Sequence, residues 1–227
     1  VSLVVFSAIV GERFLQPFNL SLIVQQVMII GIIGVAQTLV ILTAGIDLSV
    51  GAIMVLASMV MGKLAVEMGL PAPLAIMAGI AVGAACGFVN GFLVTRFRLP
   101  PFIVTLGTWN IFFALNLWYS ASETIRAQDI EEKAPLLVFF GQAVNIFGAR
   151  LTYGSIAMLL LVLLFWYILN RTAWGRHVHA VGDDPDAARL AGISTERTLM
   201  SVYIVAGVIC AVAAWALIGR IGSASPQ

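Results

Sequence analysis

The length, composition and charge of this chain identify the solvent in which it folds. Its 227 residues are 61% hydrophobic and only 10% charged, whereas about 25% of the residues of a soluble domain are charged. A water-soluble globule this apolar could not cover itself with polar surface, and disorder, a coiled coil and a disulfide-stapled domain are excluded by the same composition. Lysine and arginine (12) nearly balance aspartate and glutamate (11), so no nucleic-acid partner is expected. We therefore expect an integral membrane protein.

Seven apolar runs divide the chain. A helix needs about 20 apolar residues to cross a hydrocarbon core roughly 30 Å thick, and none of the runs alternates polar with apolar residues as a membrane β-strand does. They predict an all-α, polytopic membrane helical bundle in a single domain, with spans at about 1–10, 20–44, 46–62, 71–95, 102–119, 151–169 and 198–219. The chain starts at Val1, inside the first run, and we expect it to be part of a longer protein.

Arginine in the connections between spans predicts their orientation. Two spans separate the connection at 96–98 from the connection 170–197, so both lie on the same side of the membrane. Together they carry six arginines, namely Arg96, Arg98, Arg171, Arg176, Arg189 and Arg197. This side is predicted to be cytoplasmic, which puts Lys63 to Glu67 and the acidic stretch Glu123 to Lys133 outside.

Two stretches leave alternatives open. Segment 134–148 is apolar but short, and Gln142 and Asn145 within it favour an interfacial or re-entrant piece on the outer side. The runs 20–44 and 46–62 join without a polar loop. They form either a tight hairpin or a pair in which one member is a discontinuous half-helix.

The join between those runs contains Asp47, the one carboxylate within an apolar run. Its insertion costs about 2.5–3.5 kcal/mol, so a compensating interaction is expected. Asp47 followed by Ser49 predicts a helix N-cap in which the carboxylate accepts backbone N–H groups. Gly45 and Gly51 permit a sharp turn and close packing there. The break either lines a translocation path or is a structural cap at a tight hairpin.

Four glycines repeat every fourth residue in one apolar run. Gly79, Gly83, Gly87 and Gly91 share a helix face, and such a face allows another helix to approach to backbone contact. Asn90, beside the last glycine, can form a hydrogen bond across that contact. The stripe predicts tight packing within the subunit or, alternatively, a mobile or dimer contact.

The connection 170–197 contains the signals of a short capped helix. Asp184 is placed to cap it and Pro185 to occupy its first position. Asp186 suits the positive end of the helix dipole, and Gly192 is placed to end the helix. A helix this polar stays outside the lipid, where it is either a surface for a partner or a solvated connector.

The sequence offers little support for enzymatic chemistry, and no catalytic residue is predicted. An intramembrane aspartyl protease needs two carboxylates, whereas Asp47 is alone within the runs. His177 and His179 lie in a cytoplasmic connection without a convincing third metal ligand. Cys86 and Cys210 are expected to be small buried hydrophobic residues. No Gly-x4-Gly-Lys-Ser/Thr loop is present for ATP, so neither a metal nor a cofactor is expected.

Three collinear segments carry a resemblance to a known family. They are GVAQTLVILTAGIDLSVGAIMVLASMV (34–60), GFVNGFLVTRFRLPPFIVTLGT (87–108) and GRHVHAVGDDPDAARLAGISTERT (175–198). Together they resemble the permease subunit of bacterial ABC importers for monosaccharides, the ribose, xylose, fructose and galactoside class. Members carry further spans after the position of Gln227, which agrees with the expectation of a partial chain.

The resemblance implies a homodimeric channel through the bacterial inner membrane. In such importers a periplasmic sugar-binding protein delivers the substrate and a cytoplasmic ATP-binding subunit drives the cycle. These two proteins, a second copy of the chain and membrane lipid are therefore the expected partners. Segment 183–192 is similar to the EAA-x3-G coupling motif, with Asp in place of Glu. This similarity implies an ATPase-coupling helix made of Asp184, Pro185, Asp186, Ala187, Ala188, Arg189 and Gly192.

The resemblance also indicates candidate residues to line or gate the path. They are Gln37, Gly45, Asp47, Ser49, Thr105 and Thr108. A neutral sugar suits hydroxyl and amide groups and needs no membrane ion pair. The expected function is ATP-driven import of a monosaccharide of the ribose, fructose or xylose type. The alternatives are an ABC permease for branched-chain amino acids or nucleosides, and an ion-coupled secondary transporter, which would normally require more membrane carboxylates.

Overall fold

The computed structural model describes residues 16–146 and 148–226, together with Gly11. Within these residues, five helices are long and apolar enough to cross a membrane. They are α1 (Pro17–Ile41), α3 (Ala72–Phe97), α4 (Pro101–Ser120), α6 (Tyr153–Arg171) and α9 (Thr195–Ile221). The helix α2 (Val50–Val66) is apolar but shorter. The predicted all-α polytopic bundle is confirmed, whereas the predicted span at 1–10 lies outside the described residues.

Short elements connect these helices. After α4 come α5 (Ala127–Lys133), a 3-10 helix (Pro135–Gly141) and two strands, β1 (Ala143–Ile146) and β2 (Ala149–Thr152). Between α6 and α9 lie α7 (Ala173–Asp183) and α8 (Pro185–Leu190). Proline in the first turn starts α1, α3 and α4, where its missing N–H group has no helical partner to lose. The helix ends therefore differ by a few residues from the ends of the apolar runs.

A non-helical connection, 42–49, joins α1 to α2. The helix α1 ends at Ile41 and α2 begins at Val50, and α2 packs mainly on α3, α4 and α9 rather than on α1. The pair is therefore not a tight hairpin. The 17 residues of α2 give about 25 Å of helix, less than a hydrocarbon core of about 30 Å.

The central helix is α9, and α3 packs against it along the glycine stripe. A Cβ atom at Gly83 would lie 2.4 Å from the carbonyl oxygen of Gly207, and one at Gly87 would lie 2.2 Å from a second carbonyl oxygen of α9. Only glycine allows two helix backbones to come this close. Gly79 and Gly91 contact methionine side chains of α2 and α9. The whole stripe thus faces helices of the same chain.

The predicted interfacial segment, 134–148, contains the 3-10 helix and the first strand of an antiparallel hairpin, which the sequence did not lead us to expect. In this hairpin Ala143 pairs with Thr152, and Gly148 at the turn has a φ of +81°, a conformation that favours glycine. Trp215 of α9 donates from Nε1 to a carbonyl oxygen of the 3-10 helix at 3.1 Å. The segment is therefore a folded layer over one end of the bundle.

The opposite end of the bundle gathers both arginine-bearing connections. Gly182 of α7 lies against Leu42, and the N–H group of Leu48 donates to Thr105 near the start of α4. We call this the arginine-rich end. It brings the connection between α1 and α2 together with the segment that contains the predicted coupling helix.

Candidate functional site

The connection 42–49 leaves helical geometry directly after α1. The carbonyl oxygen of Val40 accepts hydrogen bonds from Thr43 N (3.1 Å), Thr43 Oγ1 (2.8 Å) and Gly45 N (3.0 Å). From Thr43 to Ser49 buried and exposed residues then alternate one by one, as they do in an extended strand. Non-helical backbone is tolerated at membrane depth only where protein or water covers it. The exposed side of this connection therefore requires a protein or an aqueous neighbour.

Asp47 is buried, with 4% of its surface exposed, and its carboxylate turns back onto Ser49. One oxygen, Oδ1, accepts from Ser49 N (2.8 Å) and from Ser49 Oγ (2.7 Å). The N-cap residue of α2 is Ser49, so the prediction of Asp47 as the N-cap is wrong. The reason is local competition, since an aspartate readily bonds the N–H group two residues on. These two bonds partly offset the cost of burying the carboxylate.

The hydrogen bonds of Ser49 continue into two membrane helices. The side-chain amide of Asn90 in α3 donates to Ser49 Oγ at 2.8 Å, and Thr108 Oγ1 in α4 donates to Asn90 Oδ1 at 2.7 Å. All of these side chains are buried. We call this chain of side chains the Asp47 network, made of Asp47, Ser49, Asn90 and Thr108. It joins the connection 42–49 to both α3 and α4.

Thr105 attaches the same connection to α4 independently. Its hydroxyl oxygen accepts from Leu48 N at 3.1 Å, and it lies 3.1 Å from the carbonyl oxygen of Ile46 and 3.0 Å from that of Pro101. The backbone is thus held on both sides of Asp47. The position of that carboxylate relative to α4 is fixed by backbone as well as side-chain bonds.

Besides Thr105, two predicted path residues, Gln37 and Gly45, lie outside the Asp47 network. Gln37 on α1 has a buried Oε1 atom without a hydrogen-bond partner among the described residues. Gly45 lies beside Tyr203 of α9. A Cβ atom at Gly45 would be 3.2 Å from the tyrosine hydroxyl. Within the described part of the chain that hydroxyl is also unpartnered. Tyr203 was missed by the sequence analysis, although a phenol inside the apolar run 198–219 was a signal.

The Asp47 network lies near the arginine-rich end. Thr105 is the fifth residue of α4, and Asn90 is seven residues before the end of α3 at Phe97, or about 10 Å along the helix. In the part of the chain that the structure describes, no three histidine, cysteine, aspartate or glutamate side chains cluster as metal ligands would. The site combines the Asp47 carboxylate with hydroxyl and amide groups, all buried and bonded to one another.

The short helix predicted in the connection 170–197 is present as α8. The Oδ1 atom of Asp184 accepts from Asp186 N (2.9 Å) and Ala187 N (3.0 Å). Pro185 is the first helical residue, and Gly192 follows the helix with a φ of +84°. The capping pattern of the sequence is therefore realised residue by residue.

The far end of α8 is fastened to α9. Arg189 Nε donates to Thr195 Oγ1 at 3.0 Å, and Arg189 also pairs with Asp186 at 3.2 Å. Ala188 packs inward, whereas Leu190 is 92% exposed. The helix thus presents a large apolar side chain outward from a well-anchored frame.

A family model matches most of the chain. It is the model described as "Branched-chain amino acid transport system / permease component", and it matches residues 19–227. No solved structure matches the chain.

Curated relatives resemble the chain along nearly its whole length. The fructose import permease protein of Rhizobium meliloti is 60% identical over 226 residues, which cover 100% of this chain and 63% of the relative. The ribose import permease protein of Bacillus subtilis is 35% identical (99% of this chain, 67% of the relative). The D-allose transport system permease protein of Escherichia coli is 33% identical (98% and 66%). The chain thus spans somewhat less than two thirds of the length of the fructose permease.

Proposed function

The chain belongs to the family of branched-chain amino acid transport system permease components, and we propose that it forms a large part of the membrane-spanning subunit of an ATP-driven monosaccharide importer. The proposal rests above all on the 60% identity to a fructose import permease along the entire chain. The chain itself is a multi-pass inner-membrane protein with five helices able to span the bilayer. It acts as a transport subunit, and ATP hydrolysis belongs to a separate chain.

Fructose or a closely similar monosaccharide is the proposed cargo. The fructose permease is 60% identical to the chain, against 35% for the ribose permease. The hydroxyl and amide groups around Asp47 suit an uncharged polyol. A branched-chain amino acid, which the family description names, would bring two charges into the path. Asp47 is the one acidic side chain in that part of the sequence, and one of its oxygens is already bonded to Ser49.

We propose that the path runs past the connection 42–49 and the first half of α4. The irregular backbone of this connection and its exposed residues Ile46 and Leu48 support this placement. The side chains of the Asp47 network are buried and bonded to one another. The proposed path residues are Gln37, Gly45, Asp47, Ser49, Thr105 and Thr108.

The ATP-binding subunit is proposed to dock on α8. Its capped, anchored geometry and the exposure of Leu190 support a protein partner, and 170–197 then serves as the coupling loop of a single transmembrane domain. Rigid-body movement of two such loops would alternate access to the path. A periplasmic sugar-binding protein at the opposite end, a second copy of the chain and membrane lipid complete the proposed assembly.

Uptake into proteoliposomes tests this function. The full-length subunit is reconstituted with the ATPase and the binding protein encoded beside it, and uptake of labelled fructose, ribose and leucine is measured with and without ATP. We expect ATP-dependent uptake of fructose that excess unlabelled leucine does not reduce. ATP-dependent uptake of leucine alone would contradict the sugar assignment. Fructose uptake that follows an ion gradient and ignores ATP would contradict the importer class.

A further inference from the structure

Gly182, near the end of α7, is in direct backbone contact with the start of the connection 42–49. A Cβ atom at Gly182 would lie 1.8 Å from the carbonyl oxygen of Leu42 and 3.2 Å from the Cα atom of Thr43. Real Cβ contacts are never this short, so any side chain at this position would push α7 and the connection apart. The sequence analysis gave Gly182 no role.

The helix α7 is a rigid support for this contact. Its own residues Val178 and Val181 are buried. The indole of Trp174 donates from Nε1 to Ser201 Oγ in α9 at 2.8 Å. Close-packed contacts of this kind transmit displacement instead of absorbing it. A movement of α7 is therefore passed on at Gly182.

The connection between α7 and the predicted docking helix is short. A single residue, Asp184, lies between the end of α7 and the start of α8, and its carboxylate caps α8. On the other side of α8, Ile193 N donates to the carbonyl oxygen of Ala188 at 2.9 Å. A partner that moves α8 therefore moves the end of α7 with it.

The connection carries the same displacement toward Asp47. Thr43 and Gly45 are both bonded to the carbonyl oxygen of Val40, so the first residues of the connection form one tight turn. Beyond this turn the backbone extends to Asp47 and its network, and Thr105 holds it to α4. A shift at Leu42 consequently changes the position of the polar groups relative to α4.

We propose that Gly182 is a positioning residue that couples α8 to the Asp47 network through its backbone contact with Leu42 and Thr43. The inference rests on the proposed function, since it assumes that an ATPase moves α8. The small size of residue 182 keeps the two backbones in contact, so that displacement of α8 changes the bonds around Asp47. Without this contact, ATP hydrolysis continues but moves less sugar.

The test compares Gly182→Ala with a matched control, Gly141→Ala. A Cβ atom at Gly141 would lie 1.8 Å from the carbonyl oxygen of Gly219, an equally severe backbone clash at the other end of the bundle. In the full-length complex, sugar transported per ATP hydrolysed is measured for both variants. We expect Gly182→Ala to lower this ratio about fivefold or more while the ATPase stays bound and active. We expect Gly141→Ala to lower the amount of folded protein but to keep the ratio.

If Gly182→Ala transports as much sugar per ATP as the unmodified complex, the inference is wrong. It is also wrong if both variants lose the same amount of sugar transported per ATP, because that would show a general packing defect. If the unmodified complex shows no ATP-dependent uptake, it is the proposed function that fails.

Hydrogen exchange on the unmodified complex gives a second readout if Gly182→Ala does not fold. The N–H groups of Leu48 and Ser49 are bonded to Thr105 and Asp47, so their exchange reports the state of the connection. We expect ATP to change exchange in the peptide that contains 42–49, and Leu190→Asp on α8 to abolish this change. Exchange that changes at α8 but not at 42–49 would contradict the coupling.

Discussion

Asn90 lies at the centre of the Asp47 network, since its amide bonds Ser49 on one side and Thr108 on the other. Asn90→Ala leaves both hydroxyl groups without this partner in a buried site, and a buried hydrogen bond left unmade costs about 1–3 kcal/mol. We expect a lower melting temperature of the purified full-length subunit in detergent. Asn110→Ala is the control, because that amide bonds the carbonyl oxygen of Leu106 on an exposed face. Equal losses in the two variants would contradict the network.

Tyr203 presents the opposite case to Asn90. Its hydroxyl is buried, and no hydrogen-bond partner for it lies among residues 16–146 and 148–226. An unsatisfied buried hydroxyl is unfavourable, so Tyr203→Phe should keep or raise the melting temperature of the subunit. A melting temperature lowered as much as in Asn90→Ala would show that the hydroxyl has a partner in the working protein.

The sequence indicated the polar side chains of the site but not their connections. Asp47, Ser49, Thr105 and Thr108 stand out because polar residues within apolar runs are costly and need a reason. The bond from Asn90 to Ser49 spans 41 residues, and nothing local specifies it. The chain fold alone brings these two side chains together. The sequence analysis therefore placed Asn90 only at a helix contact and not in the site with Asp47.

At the scale of the element, the α3–α9 contact depends on the absence of side chains. A Cβ atom at Gly83 would lie 2.4 Å from the carbonyl oxygen of Gly207 and 2.8 Å from the Cβ atom of Ala211. Both neighbours belong to a rigid helix, so Gly83→Ala should destabilise the subunit by about 1–3 kcal/mol. Thermal unfolding in detergent measures this loss.

Gly107→Ala on α4 is the matched control for that variant. A Cβ atom there meets no atom within 4 Å, and alanine is favoured over glycine in a helix by about 1 kcal/mol. We therefore expect an equal or higher melting temperature. If Gly83→Ala behaved like Gly107→Ala, the close approach of α3 and α9 would be wrong.

Hydropathy predicted the long helices well and the short elements poorly. The run 71–95 corresponds to α3 and the run 151–169 to α6 with small shifts at the ends, because twenty or so apolar residues specify a membrane helix by themselves. The hairpin of β1 and β2 has only four residues per strand. Such short strands carry too little alternation to be recognised within an apolar stretch.

At the scale of the whole molecule, the predicted docking helix and the polar site lie at the same end of the bundle. The arginine pattern predicted that the connections at 96–98 and 170–197 share one side of the membrane, and the fold gathers them at one end of the bundle. The contact of Gly182 with Leu42 could not be predicted, because the two residues are 140 positions apart in the sequence. It depends on how α7 folds back over the bundle.

The most direct test of the proposed ATP-driven import is to disable α8 without disturbing the fold. Leu190 is 92% exposed and Met68, at the opposite end, is 67% exposed, so aspartate is tolerated by the fold at both positions. In the reconstituted full-length complex we predict that Leu190→Asp loses the ATPase on co-purification and with it ATP-dependent sugar uptake, whereas Met68→Asp keeps the ATPase bound. Undiminished ATPase binding and uptake in Leu190→Asp would contradict the account.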